Sequence, residues 1–363
     1  MKKGIFFTVH SIAGLISGLF ILLLSVSGAA LVFHEELDSL QFPTITRAGN
    51  GILSVDSCYR SVQKYYPHAQ VSNCMLPDNS TKPFLFDVYD PSYKNGTAIL
   101  QVFLHPQTGK VLQTRGSDDL KNNFMSWLAV FHSSFHLGKT GEWLLGIFSL
   151  VFLLSIITGL ILFRKNVAAV LLLKRRMYRK NNLHQLIGVY ALLFNLMIGI
   201  TGFWMQRYVF KKEFYANESY TPVLKPSPPL FFQFDSAYIE LQKKYPDFTG
   251  SVIYFAQTKK SKTAIYGSRS SNSFIHSKKY ADVIFLDSTG NIAKTAFVND
   301  IDPSSRYDII NAQVHYGKYG GLPVKIIYCL FGLAGGVLSI TGFILWIKRK
   351  KRLPFEDSLL KRY

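Results

Sequence analysis

The sequence predicts a membrane α-helical bundle of four transmembrane helices, built as a parallel duplication and carrying two small α+β extramembrane domains. Three observations predict it. Four apolar stretches, Gly4 to Phe33, Trp143 to Phe163, Leu183 to Trp204 and Leu322 to Ile347, each reach the roughly 20 residues that a bilayer core requires. Lysine and arginine gather in the short segments beside them. The spacing of histidines to glycines in the first half of the chain recurs in the second.

Net charge is +19 over 363 residues, a value that could suggest nucleic acid, but its distribution excludes that partner. Lys2 and Lys3 precede the first stretch. Arg164, Lys165, Lys174, Arg175, Arg176, Arg179 and Lys180 fill the short second loop, and Lys348, Arg349, Lys350, Lys351, Arg352, Lys361 and Arg362 follow the fourth stretch. Against Glu356 and Asp357 alone, these cations supply +14 of the +19. Short loops rich in lysine and arginine stay in the cytoplasm, so both termini are expected inside and both large segments outside. The opening apolar run is too long for the 7–15-residue core of a signal peptide and reads as a retained span.

In chain order, the expected elements are transmembrane helix 1 over 1–33, a first external domain over 34–125, and an interfacial segment with helix 2 over 126–163. A basic cytoplasmic loop follows at 164–182, then helix 3 at 183–205 and a second external domain at 206–312. Interfacial segment and helix 4 take 313–347, and a basic tail ends the chain at 348–363. The duplication is what justifies this division. His10 precedes Gly28 by 18 residues and His184 precedes Gly202 by 18; His132 precedes Gly159 by 27 and His315 precedes Gly342 by 27. Each of those glycines follows a serine or threonine. Gly14 and Gly188 stand four residues after His10 and His184. In the external segments "SVQKYYPHAQVSN" (61–73) resembles "ELQKKYPDFTGSV" (240–252), a helix leading into a strand, and "LQVFLHPQTGKVLQ" (100–113) resembles "DVIFLDSTGNIAKT" (282–295), strand, glycine turn and strand.

The matched histidines are the candidate site. His10 lies inside an uncharged apolar run, where an ionisable residue is a functional hypothesis by default; His184 occupies the equivalent place, and the two form an expected inner pair. His132 and His315 form an outer pair. A second register, "HLGKTG" against "HYGKYG", aligns His315 with His136 instead, and His34 also stands at the outer end; both remain alternative ligands. Neutral imidazoles facing each other across a bundle, with Gly14 and Gly188 leaving room for a flat macrocycle, suit bis-histidine haem ligation. Zinc is a poorer reading, because His132 and His136 have no adjacent Glu in an HExxH pattern. No glycine-rich strand–helix unit for NAD or flavin is present. His68, His105 and His276 read as surface residues. Cys58 and Cys74 leave a disulfide open, and Cys329 falls within helix 4.

"VHSIAGLISGLFILLLSVSGAALVFHEELD" (9–38), "LHQLIGVYALLFNLMIGITG" (183–202), "VHYGKYGGLPVKIIYCLFGLAGGVLSITGFILWIKRKK" (314–351) and "VFLHPQTGKVL" (102–112) together resemble the PepSY-associated transmembrane proteins. These are iron-regulated membrane proteins that include the inner-membrane ferric-siderophore reductases. The resemblance covers nearly the whole chain. It implies PepSY-like periplasmic domains, two b-type haems with His10, His184, His132 and His315 as axial ligands, and reduction of ferric siderophore at the periplasmic face of the bacterial inner membrane. The electron donor would be a quinol or a cytosolic flavoprotein, and the surrounding partner is membrane lipid. The family usually has an aliphatic residue one turn after its second-helix histidine, where this chain has His136. Two other classes fit part of the pattern: a non-enzymatic PepSY membrane protein that regulates a periplasmic peptidase or senses a ligand, and an accessory to a metal-cation permease.

Overall fold

A computed structural model describes residues 3–43, 45, 54–79, 81–172, 183–216 and 225–360. The basic cluster at Lys174, Arg175, Arg176, Arg179 and Lys180, with Lys2, Lys361 and Arg362, lies outside the described residues. The chain divides into two compact units. One contains residues 1–34, 128–217 and 314–363, and the other contains 35–127 and 218–313.

The first unit is the membrane-spanning one. Three helices are long and apolar enough to cross a bilayer, Gly4–Leu31, Gly138–Arg164 and Gly321–Lys350, and a fourth span exists if Leu183–Tyr190 and Leu192–Phe210 count as one. That third span, read from the sequence as continuous, is bent by 64° at Ala191. No proline marks the bend. Its backbone ladder is kept on both sides, with Ala191 N–H donating to Ile187 and Asn195 N–H donating to Ala191. The first span packs along the fourth and the second. The helix of the fourth span continues to Leu360, past the 347 expected from hydropathy.

Short entry helices, Phe124–Ser134 and Pro303–Tyr316, lead into the second and fourth spans. The corners between are left-handed: Phe135, His136 and Gly138 have φ of 51°, 58° and 53°, and Gly317, Gly320 and Gly321 have 63°, 72° and 67°. Glycine relieves that strain where it stands, whereas Phe135 and His136 bear it. Gly141 is required for a different reason: a Cβ there would lie 1.6 Å from the Ser134 carbonyl oxygen. The second corner is tied by Tyr328, whose hydroxyl donates to the Val314 carbonyl at 2.7 Å and accepts from Tyr319 at 2.7 Å. Tyr328→Phe leaves that carbonyl without its donor and is expected to cost about 1–3 kcal/mol, read as a fall in melting temperature.

The second unit departs from the expected pair of domains. The repeat strings mark the helix and three of the four strands in each half, all but the second of each four: the helix Val55–Tyr65 precedes strands β1 (Gln70–Met75), β2 (Phe84–Tyr89), β3 (Leu100–Leu104) and β4 (Val111–Gly116). The helix Phe234–Lys244 precedes β5 (Phe248–Tyr254), β6 (Thr263–Arg269), β7 (Asp282–Leu286) and β8 (Ile292–Ala296). However, the strands form one eight-stranded antiparallel sheet ordered β4-β3-β2-β1-β5-β6-β7-β8. Strand β1 pairs with β5 through Asn73 to Tyr254 and Cys74 to Ile253. Two four-stranded sheets would each leave an exposed edge at that strand, and joining them removes both. Phe86, Val102, Phe234, Ile253, Ile265 and Ile284 belong to one shared core.

The two repeat helices also cap each other. Asp235 accepts from the N–H groups of Val55 and Asp56 at 2.9 and 3.2 Å, and Asp56 accepts from those of Phe234 and Asp235 at 3.0 and 2.8 Å. Each carboxylate satisfies helix-terminal donors that its own helix cannot. Burial, together with the facing Asp56, holds the Asp235 carboxyl above its ordinary range.

Cys58 and Cys74 are fully buried and are thiols. Burial pushes the Cys58 thiol up to about 12, and the thiolate is the reactive form. Iodoacetamide at pH 8 is therefore expected to leave both unmodified in the folded protein and to label both after denaturation; mass spectrometry showing native labelling would contradict this. His276, expected at the surface, is buried at 8% exposure, while His68 is exposed and His105 half-buried.

Candidate functional site

The site is built from four copies of one contact. On each span, the hydroxyl of a Ser/Thr-Gly dipeptide donates its single proton to the carbonyl one turn earlier. Ser27 donates to Leu23 at 2.8 Å, Thr158 to Leu154 at 2.7 Å, Thr201 to Met197 at 2.8 Å and Thr341 to Val337 at 2.7 Å. In an apolar helix this is how such a hydroxyl satisfies its donor. Its oxygen keeps its acceptor capacity.

A histidine of a neighbouring helix meets each hydroxyl. The His132 Nδ1 lies 2.8 Å from Ser27 Oγ, His315 Nδ1 2.9 Å from Thr201 Oγ1 and His184 Nδ1 3.0 Å from Thr341 Oγ1. The His10 Nδ1 lies 2.9 Å from the Ser155 carbonyl and 3.4 Å from Thr158 Oγ1. A hydroxyl whose proton is committed elsewhere can only accept, and a carbonyl always accepts. All four rings are thereby assigned the tautomer with the proton on Nδ1, which leaves the Nε2 lone pair free.

The glycine of each dipeptide makes room for the ring. A Cβ on Gly28 would lie 3.0 Å from His132 Cε1, on Gly159 3.0 Å from His10 Cε1, on Gly202 3.1 Å from His315 Cε1 and on Gly342 3.3 Å from His184 Cε1. Gly14 and Gly188, which the sequence reads as leaving room for a macrocycle, lie against the facing span, where a Cβ at either would meet Ser155 Oγ or Leu338 Cδ2 at 3.7 Å. Gly28→Val is expected to displace the His132 ring while keeping its side chain; whatever that ring binds should be weakened as it is in His132→Ala.

Contacts within a repeat seat the rings, and contacts across repeats pair them. His10 and His184 have centroids 6.2 Å apart, and His132 and His315 have centroids 6.5 Å apart. His136, the alternative to His132, sits at the left-handed corner, exposed, with its ring 6.3 Å from Phe131. His34 opens the short helix His34–Ser39 and is half-buried. The pairs lie toward opposite ends of the bundle, because 18 helical residues from His10 to Gly28 span about 27 Å. Midway, Phe20 stacks on Phe148 at 3.6 Å and Phe194 packs on Phe331 at 5.7 Å. These are repeat-matched as well, each lying ten residues after a histidine or ten before a threonine. The sequence reading missed them, although that spacing marks them. A cavity of about 570 Å³ lined by Gly4, Phe7, Thr8 and Arg349 opens at the end of His10, with the Arg349 guanidinium 4.5 Å over Phe7.

Chemically, two imidazoles whose Nε2 lone pairs are left over could supply two donors to one metal. A metal sits about 2 Å from a ligating imidazole nitrogen, so two rings gripping one ion end-on have centres about 6 Å apart. Both pairs have that separation. Among the described residues, no group of three or more His, Cys, Asp or Glu could hold a bare ion. The donor set suits a metal whose other ligands arrive in a planar macrocycle, and haem fits it.

The class that fold and site define is a duplicated membrane bundle with two histidine pairs and a joined extramembrane sheet. Residues 7–349 match the family model of the PepSY-associated TM region, and the chain belongs to that family. No curated protein matches it.

Proposed function

We propose that the protein is a di-haem b oxidoreductase of the bacterial inner membrane that passes electrons to ferric siderophore in the periplasm, releasing ferrous iron for uptake. The observation that carries the reading is the pair of facing histidines at each end of the bundle, every ring oriented by an accepting oxygen that frees Nε2. His10 and His184 would hold one haem, and His132 and His315 the other. When bound, haem supplies reversible one-electron exchange at its iron.

The chain's residues do the rest. Ser27, Thr201 and Thr341, with the Ser155 carbonyl at His10, fix the tautomers. The adjoining glycines leave the rings in place without strain, and the apolar spans keep water from the centre. Lysine and arginine at the termini and the second loop support an orientation with both termini in the cytoplasm, so the His132–His315 pair would face the periplasm. Ferric ion in an oxygen-donor chelate is held tightly, while ferrous ion prefers softer ligands; one electron delivered there loosens the iron without breaking the chelator. A quinol or a cytosolic flavoprotein would reload the opposite end.

The test is a visible spectrum of the detergent-purified protein before and after dithionite, with a pyridine haemochrome assay. About two b-type haems per chain is the expected result, followed by oxidation of the reduced protein on adding a ferric siderophore. A colourless protein from haem-replete cells would overturn the reading and leave a non-enzymatic PepSY role.

A further inference from the structure

The two histidine pairs are built alike but not identically. At the His10–His184 pair one Nδ1 proton meets a backbone carbonyl: His10 donates to Ser155 at 2.9 Å, with Thr158 Oγ1 farther away at 3.4 Å. The His184 Nδ1 lies 3.0 Å from the Thr341 hydroxyl. At the His132–His315 pair the acceptors are hydroxyls, Ser27 and Thr201, at 2.8 and 2.9 Å.

We infer that this difference gives the His132–His315 site the higher reduction potential, so that an electron entering at the His10 end runs downhill to the other. The inference rests on the di-haem reading. An amide carbonyl is a stronger acceptor than an alcohol oxygen. A ring donating Nδ1–H to it becomes a more basic ligand, and a more basic axial ligand stabilises ferric over ferrous iron.

All four rings are half-buried by exposed surface, so the acceptors are what separates the two pairs. Arg349 opposes the gradient at the His10 end by favouring the reduced state there, but it is exposed and lines an open cavity, where solvent and salt screen it. One electron moves in the transfer, oxidising one iron and reducing the other, and no bond or proton changes place.

Ser27 and Thr201 are therefore positioning residues that also tune. The experiment is a spectroelectrochemical titration of the purified two-haem protein, with the sites assigned from His315→Ala and His184→Ala. The expected result is at least a tenfold preference for reduction at the His132–His315 site, a gap of about 59 mV or more for one electron. Ser27→Ala and Thr201→Val should raise that site's potential further by removing the acceptor, and Thr201→Ser should restore it. Thr158→Val should barely move the other site, since the Ser155 carbonyl remains. Equal or reversed potentials in a protein holding both haems would overturn the gradient alone, as would equal shifts from Ser27→Ala and Thr158→Val. A protein without haem would overturn the gradient and the di-haem reading together.

Discussion

If the protein holds two haems as proposed, replacing His315 by alanine is expected to lower them from about two per chain to about one, and His132→Ala is expected to do the same. The argument is one of pairing. The two ring centroids lie 6.5 Å apart, so on the di-haem reading removal of either would leave one histidine donor where two are needed. The double variant should then lose no more than either single, because both act on one site. Adding His10→Ala to His315→Ala should remove the remaining haem, because His10 serves the other pair. Pyridine haemochrome stoichiometry with an absorbance spectrum separates these outcomes. If His136→Ala empties the site and His132→Ala does not, the ligand lies at the corner, and the geometry that seats His132 on Ser27 and Gly28 serves some other purpose.

The second large effect belongs to Arg115. Its guanidinium is buried at 3% residue exposure and makes a bidentate pair with Asp38, at 2.8 and 2.9 Å, while its Nε donates to Gln101 at 2.8 Å. Phe42 and Phe103 lie 5.5 and 5.1 Å away on its faces, so little water reaches the charge. Gln101 passes the chain of contacts on, donating to Asp87 and accepting from Asn123, both at 3.1 Å. Arg115→Ala leaves Asp38 charged and unpaired in that setting, a loss of about 3–5 kcal/mol. For a unit of this size it should appear as a fall of roughly 10 °C in melting temperature. Replacing both partners with apolar residues, Arg115→Met with Asp38→Leu, should cost less than Arg115→Ala alone, since no buried charge is then left unmatched. A single variant that melts like the parent would mean the pair is solvated in solution. Asp38 follows closely on the first span in the chain, and Asn123 immediately precedes the helix that carries His132. The network therefore joins the segments on either side of the first passage out of the membrane.

Much of this was legible from residue spacing. The repeat of 18 and 27 residues located all four paired histidines and aligned His315 with His132, and apolar length located the first, second and fourth spans. Glycine turns at Gly109 and Gly290, with φ of 65° and 87°, lie where the strand–turn–strand strings put them. The bend at Ala191 was not legible, since no proline stands there and both sides of it are apolar. Nor was the single sheet: each half has a helix and four strands, and nothing in the alternation of β1 or β5 distinguishes a free edge from a paired one.

The sequence by itself determined which residues repeat and how far apart they stand, because a helix converts residue number into distance along an axis. It could not say which helix faces which. The Ser/Thr-Gly dipeptides are endpoints for counting in the sequence, and only the packing of neighbouring helices made each one the seat of another helix's histidine. The physical reason is that a hydroxyl's proton and a glycine's missing Cβ acquire meaning only from what lies opposite. The first is settled by an i−4 carbonyl within its own helix, and the second by a ring arriving from more than a hundred residues away in the chain.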